Sequence, residues 1–272
     1  DCEMKYIFFI VGLVLIVWGV QYTRTGKIMP EDIDPQSILK SSELPNKGQA
    51  PELVGIESWI NSEPVTIESL RGKVVLVDFW TYTCINCIRT FPHVSGWYGK
   101  YKDKGLVVLG VHSPEFKFEK KRENVEREAQ ENNLHYPIAL DNDMKTGNAY
   151  ANRYWPAKYL VDAEGNIRYT HFGEGRYEET EKAIQQLLLE AGHLSVEEVV
   201  EVTEVATGVE FQKIGTPEIY LGYLRINNFG NKEEKVSPGV AHTFMEPTEI
   251  KQNRFYFTGD WKIEPEYAEF VG

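Results

Sequence analysis

KVVLVDFWTYTCINCIRTFP, residues 73–92, is the stretch whose reading decides the fold. Its first part, from Lys73 to Trp80, is a continuous Val-rich apolar run interrupted by one acid, Asp78. Such a run, bounded by Arg71-Gly72, reads as a strand buried on both faces. Cys84 and Cys87 follow at C-x-x-C spacing, and the chain then reads as a helix to about Lys102. Two cysteines so spaced at a helix start lie on neighbouring turns, close enough to join in a small disulfide ring. The helix N-terminus brings partial positive charge and unpaired N–H groups to Cys84, which favours its thiolate. The pattern is that of a thiol–disulfide exchange site.

Other uses of the pair are weaker. A zinc site usually takes four ligands, yet there is no second cysteine pair, and His93, His112, His135 and His171 are scattered singly. No metal or cofactor is therefore expected. Haem attachment needs His directly after the second Cys, where Ile88 stands. A purely structural disulfide across so few residues would stabilise little. As exchange partners, Cys84 is the nucleophile, being nearest the helix start, and Cys87 resolves the mixed disulfide. Asp78, a carboxylate in an apolar strand, should have a raised pKa and could carry the proton of Cys87. The plainer alternative is an Asp bonded to backbone at a strand end.

The run VDFW-x-x-x-C-x-x-C, with Pro92 five residues after Cys87, resembles the thioredoxin superfamily. The longer string DFWTYTCINCIRTFP, with YWPAKYLVDAEGNIR and HFGEGRY downstream, resembles the extracytoplasmic redoxin region of DipZ-type proteins, related to the TlpA/ResA group. The likeness spans roughly residues 50–191, about half the chain. It implies a thioredoxin-like α/β fold, a central mixed sheet flanked by helices. It also implies a redox-active Cys84–Cys87 disulfide, Asp78 as the buried acid and Pro92 as a helix-kinking proline. Pro156 would be a cis proline facing the disulfide and binding substrate backbone, with Trp155 beside it. Trp155 and Trp80 are either groove walls or plain core. Ile85-Asn86 replaces the Gly-Pro of thioredoxin proper, which leaves the redox potential open. Implied partners are exported thiol or disulfide proteins and a CcdA-like membrane electron donor, with roles in redox homeostasis and cytochrome c biogenesis.

The formal net charge of −12 argues against nucleic acid as a partner, since phosphate binding needs a basic patch. Residues 6–20, YIFFIVGLVLIVWGV, form a charge-free apolar run after Lys5. It is a little short of the usual span of about twenty residues, a deficit that bilayer thinning and flanking residues can absorb. An uncleaved anchor fits better than a signal peptide, because no A-x-A-like site follows. Lys5 before the run and Arg24 and Lys27 after it leave orientation undecided by charge. An extracytoplasmic domain is what the resemblance implies. Cys2 precedes the apolar run and lacks a lipoprotein context.

The domain reading is a membrane helix over 1–22, a linker over 23–49, a redoxin domain over 50–192 and a β-rich segment over 193–272. Residues 51–60 and 65–70 read as short strands or extended segments. LVVLGV at 106–111 is a second buried strand, and 117–133 a charged helix. A third strand follows at 136–140, then a helix over 144–153, a hairpin of 158–161 with 167–172, and a closing helix over 177–191. His112 and Glu115 open the loop after the second strand, on the cysteine edge of the sheet, placed to tune the site or merely solvated. In the tail, NRFYFT at 253–258 and residues 261–263 read as strands around Gly259-Asp260. There the resemblance implies the start of a carbohydrate-binding-like β-sandwich. Two competing functions remain: a thiol peroxidase, suggested by Thr81 three residues before Cys84, and a non-enzymatic binding module.

Overall fold

The computed structural model describes residues 44–199, 215, 217–231 and 237–272. The expected membrane helix, Cys2 and most of the linker lie outside the described residues, as does 200–207. Among the described residues no helix is long and apolar enough to cross a membrane. Residues 44–114 and 122–199 form one unit; 115–121 and the described part of 203–272 form another.

The first unit runs β1 (Ser58–Ile60), β2 (Val74–Trp80), α1 (Ile85–Tyr101), β3 (Leu106–His112), α2 (Arg122–Glu131), β4 (Ile138–Leu140), α3 (Lys145–Ala149), β5 (Ala157–Val161), β6 (Ile167–Phe172) and α4 (Tyr177–Glu190). The sheet order is β1-β4-β3-β2-β5-β6. Strands β2, β3 and β4 are parallel, and β5, β6 and β1 are antiparallel to their neighbours. This is the mixed sheet expected of a thioredoxin-like fold.

Every residue of β2 is buried. Val74, Leu76 and Trp80 join one core with Cys87, Phe91, Val94, Trp97 and Tyr101 of α1 and Ile184, Leu187 and Leu188 of α4. Val75, Val77 and Phe79 join a second core with Val111, Tyr150 and Tyr159 on the other face. Period-two alternation thus explains why the strand reads as one unbroken apolar run. The buried residues of α1 recur every three or four positions, and the helix continues through Pro92. Glu181 of α4 fixes that helix by accepting hydrogen bonds from Trp97 Nε1 at 3.2 Å and Tyr101 Oη at 2.7 Å.

Several expected elements differ. The charged helix over 117–133 is broken into a 3-10 turn, Lys117–Lys120, and α2, with Lys121 extended between them. The Glu119 carboxylate accepts the amides of Glu115 and Phe116 at 2.6 and 2.9 Å, which caps the start of that turn. The helix over 144–153 shrinks to α3, entered through Met144 at φ 59° and followed by Ala151 at φ 50°. The Asp141 carboxylate takes the amides of Thr146 and Gly147 at 3.0 and 2.8 Å there. Of residues 51–70 only β1 pairs in the sheet. Segment 65–70 instead ends in a 3-10 turn, Glu68–Leu70, where Glu52 accepts the amides of Ile67 and Glu68 at 2.8 and 2.7 Å.

The second unit holds an antiparallel sheet of β7 (Ala241–Phe244), β8 (Gly259–Ile263) and β9 (Ala268–Phe270). NRFYFT is not a strand: it makes one isolated bridge, Phe229 with Phe255, and sends Phe257 into an aromatic core with Phe229 and Phe244. Gly259-Asp260, expected to interrupt pairing, instead opens β8.

Candidate active site

The turn from β2 into α1 sets the cysteines. Cys84 is the N-cap, in extended backbone at φ −75° and ψ 105°, and its amide donates to Thr81 O at 3.3 Å. The Cys87 amide donates to Cys84 Sγ at 3.2 Å, so a sulfur occupies the place a capping hydroxyl usually takes. That bond and the helix N-terminus favour negative charge on Cys84. Cys84 is half-buried and Cys87 fully buried. Ile85, 55 % exposed, flanks the accessible sulfur. Burial pushes the Cys87 thiol well above its ordinary pKa, and the nearby Cys84 and the charge of Asp78 push the same way. The second sulfur is therefore held as the thiol at neutral pH.

Asp78 is fully buried on the face covered by α1. It is not alone, as the apolar run suggested: Lys158 Nζ, itself 1 % exposed, stands 3.2 Å from Asp78 Oδ1. The two charges are close but not aligned as a hydrogen bond, and no other described group bonds either carboxylate oxygen. Burial raises the pKa of Asp78, and Lys158 opposes the rise. The Tyr136 hydroxyl belongs to the same enclosure. Burial drives its pKa well up, and the charges of Asp78 and Cys87 add to the effect. Opposite Asp78 in β3 is Gly110, where a Cβ would come within 2.8 Å of Trp80 Nε1 and 2.9 Å of the Tyr136 ring. Only glycine leaves those rings their places.

The Trp155–Pro156 peptide is cis. Trp155 packs on the same core as Cys84 and anchors through Nε1 to Ser113 O at 3.0 Å. Trp80 is wholly buried, edge-on to Phe91 and His112, and is core. His112 is no loop residue: it ends β3, fully buried, with Nε2 3.3 Å from Thr81 Oγ1. Burial lowers its pKa to about 3, so it contributes no charge at neutral pH. Glu115 belongs to the second unit, paired with Arg225 at 3.3 Å. Among the described residues no group of three or more His, Cys, Asp or Glu is arranged to hold a metal ion.

Sequence reasoning missed Lys158 and Tyr136. The signal for Lys158 was available: a lysine inside AKYLV, two residues past Pro156, is as foreign to a strand buried on both faces as Asp78 is to β2. Adjacent strands carrying one misplaced acid and one misplaced base invite pairing.

A mixed sheet of this order, with a C-x-x-C helix rising from its central strand over a buried acid, defines a thioredoxin-like redox fold. Sequence comparison with known proteins agrees. The AhpC/TSA family model matches residues 49–170, and the model for a thioredoxin-like C-terminal domain matches 216–272. Thiol-disulfide oxidoreductase YkuV of Bacillus subtilis is 34% identical over 141 residues, covering 52% of this chain and 94% of that protein. Protein DipZ of Mycobacterium tuberculosis is 43% identical over 235 residues, 85% of this chain. The chain spans only 33% of that relative's length. A thioredoxin-like protein solved in solution in its oxidised form is 33% identical, with a TM-score of 0.49 over 53% of this chain and 96% of that one. The chain belongs to the thioredoxin superfamily, among its thiol–disulfide oxidoreductases.

Proposed function

We propose that the chain exchanges disulfides with exported proteins through Cys84 and Cys87, working as a reductase. The Cys84 thiolate attacks one sulfur of a client disulfide, that S–S bond breaks, and a client thiolate leaves. Asp78 then takes the proton of Cys87. The Cys87 thiolate attacks Cys84 Sγ, which releases the second client sulfur and leaves a Cys84–Cys87 disulfide. Two electrons have passed to the client. A CcdA-like membrane donor would restore the dithiol. The observation that carries this reading is the asymmetry of the pair: a half-exposed Cys84 capped by an N–H group, and a buried Cys87 on the face of Asp78.

In the same proposal, residues 1–22 anchor the chain, 23–49 form a linker, 50–192 make up the redoxin domain outside the cytoplasm, and 193–272 an accessory β-rich segment. Trp155 and Pro156 line the client site. The test is disulfide trapping in membranes carrying the full chain. Cys87→Ser should accumulate mixed disulfides with exported proteins through Cys84. Cys84→Ser should accumulate none and lose disulfide-reducing activity on the order of 10³-fold. Wild-type activity in both variants would sink the proposal.

A further inference from the structure

A proton loaded onto Asp78 needs a way out, and most of its surroundings offer none. Cys87 and the Tyr136 ring are fully buried, and the β3 side is closed by Gly110 with the Trp80 and Tyr136 rings against it. The β5 side is different. Asp78 is the register partner of Lys158, and Lys158 that of His171 on β6, the last strand of the sheet. The next row, Leu76, Leu160 and Tyr169, lies in the core beneath α1 and α4. Strand alternation therefore puts Asp78, Lys158 and His171 on that same face, where directly opposed Cβ atoms are about 4.5–5.5 Å apart. His171 reaches the surface at 9 % exposure, with Nε2 3.2 Å from Glu174 O.

We propose that Asp78, Lys158 and His171 form a proton path that returns to solvent the proton taken from Cys87. The inference rests on the exchange reading above. Lys158 Nζ makes no hydrogen bond in this structure, so the ammonium turns from Asp78 toward the neutral His171 ring, passes it one proton, and is reloaded by Asp78, itself protonated by Cys87. His171 then releases its proton to water. No electrons move, and the row ends in the charge state in which it began. Other groups act on the row: Cys87 and Tyr136 at Asp78, His93 and Glu174 near Lys158, and Arg176 and Glu179 near His171. Burial keeps His171 below the usual imidazole value, hence neutral and able to accept at neutral pH.

The test is single-turnover reduction of oxidised glutathione by the pre-reduced full chain in weakly buffered solution, with a pH-indicator dye following the return of the proton to water. His171→Ala and His171→Gln should resolve the mixed disulfide at the wild-type rate but return the proton roughly tenfold more slowly, within the range of positioned proton transfer. Added imidazole should restore the rate of proton return in His171→Ala and leave wild type unchanged. His93→Gln should behave as wild type. A wild-type rate of proton return in both His171 variants, or a slow His171→Ala that imidazole does not rescue, overturns the path while leaving the exchange reading standing. A wild-type chain that reduces neither glutathione disulfide nor an exported protein's disulfide overturns both.

Discussion

Along β2, Val75, Val77 and Phe79 face one side of the sheet, while Val74, Leu76, Asp78 and Trp80 face the other. Both sides are sealed from water. On the first, Phe79 meets the rings of Tyr150 and Tyr159 edge-on at 5.4 and 5.6 Å, and apolar contact is all the row supplies. On the second lie Asp78 and Lys158, with Cys87 on the helix above. A buried apolar row stabilises. A buried ion pair gives back much of its attraction as desolvation, so it is poor stability and good chemistry. The two faces differ by one residue step, and in the proposed mechanism that step separates holding the fold from running the reaction.

Four experiments break or sharpen this contrast. Phe79→Ala on the apolar face should cost about 3–5 kcal/mol in denaturant melts, with exchange per folded molecule unchanged. The second effect belongs to His112, whose folded pKa of about 3 lies below its usual value of about 6.5. A base with a depressed folded pKa gives full stability above the unfolded value and loses it as pH falls. The protein should therefore lose about 3 kcal/mol between pH 7 and pH 4 from this group, a slope that His112→Gln removes. Third, Asp78→Asn should slow resolution of a mixed disulfide about 10²-fold. Because burial raises the Asp78 pKa and the proposed mechanism makes the carboxylate the base, the wild-type rate should climb with pH through a value above the ordinary carboxylate range. The variant should lack that limb. The smallest effect concerns Arg122, exposed and 2.8 Å from the partly exposed Glu126 one helical turn on. Arg122→Ala should cost under about 1 kcal/mol in the same melts.

The strand–cysteine–helix unit was legible because its signals are local: an unbroken apolar run, a C-x-x-C spacing and a three-to-four residue apolar stripe. Asp78 stood out as the one acid in that run. Its partner did not, because Lys158 reaches it only through the antiparallel register of β5 on β2, which sequence spacing does not reveal. His112 was misplaced by a single residue, since β3 extends one position further than the apolar run and carries the histidine inside. Helix lengths at 117–133 and 144–153 were overread for another reason. Glu119 and Asp141 accept amides at the starts of the 3-10 turn and of α3, while the backbone leaves helix at Lys121, which is extended, and at Ala151, at φ 50°. In the tail, Phe255 and Phe257 have the look of strand residues, yet they fill an aromatic cluster outside the ladder.

The central claim is that Cys84 and Cys87 form a reversible disulfide poised for reduction of clients. The direct measurement is their reduction potential, by alkylation trapping across a series of thiol redox buffers. The account predicts a two-electron transition nearer the about −270 mV of thioredoxin than the about −120 mV of the oxidant DsbA. Independent alkylation of both sulfurs in every buffer, with no linked transition, would contradict it.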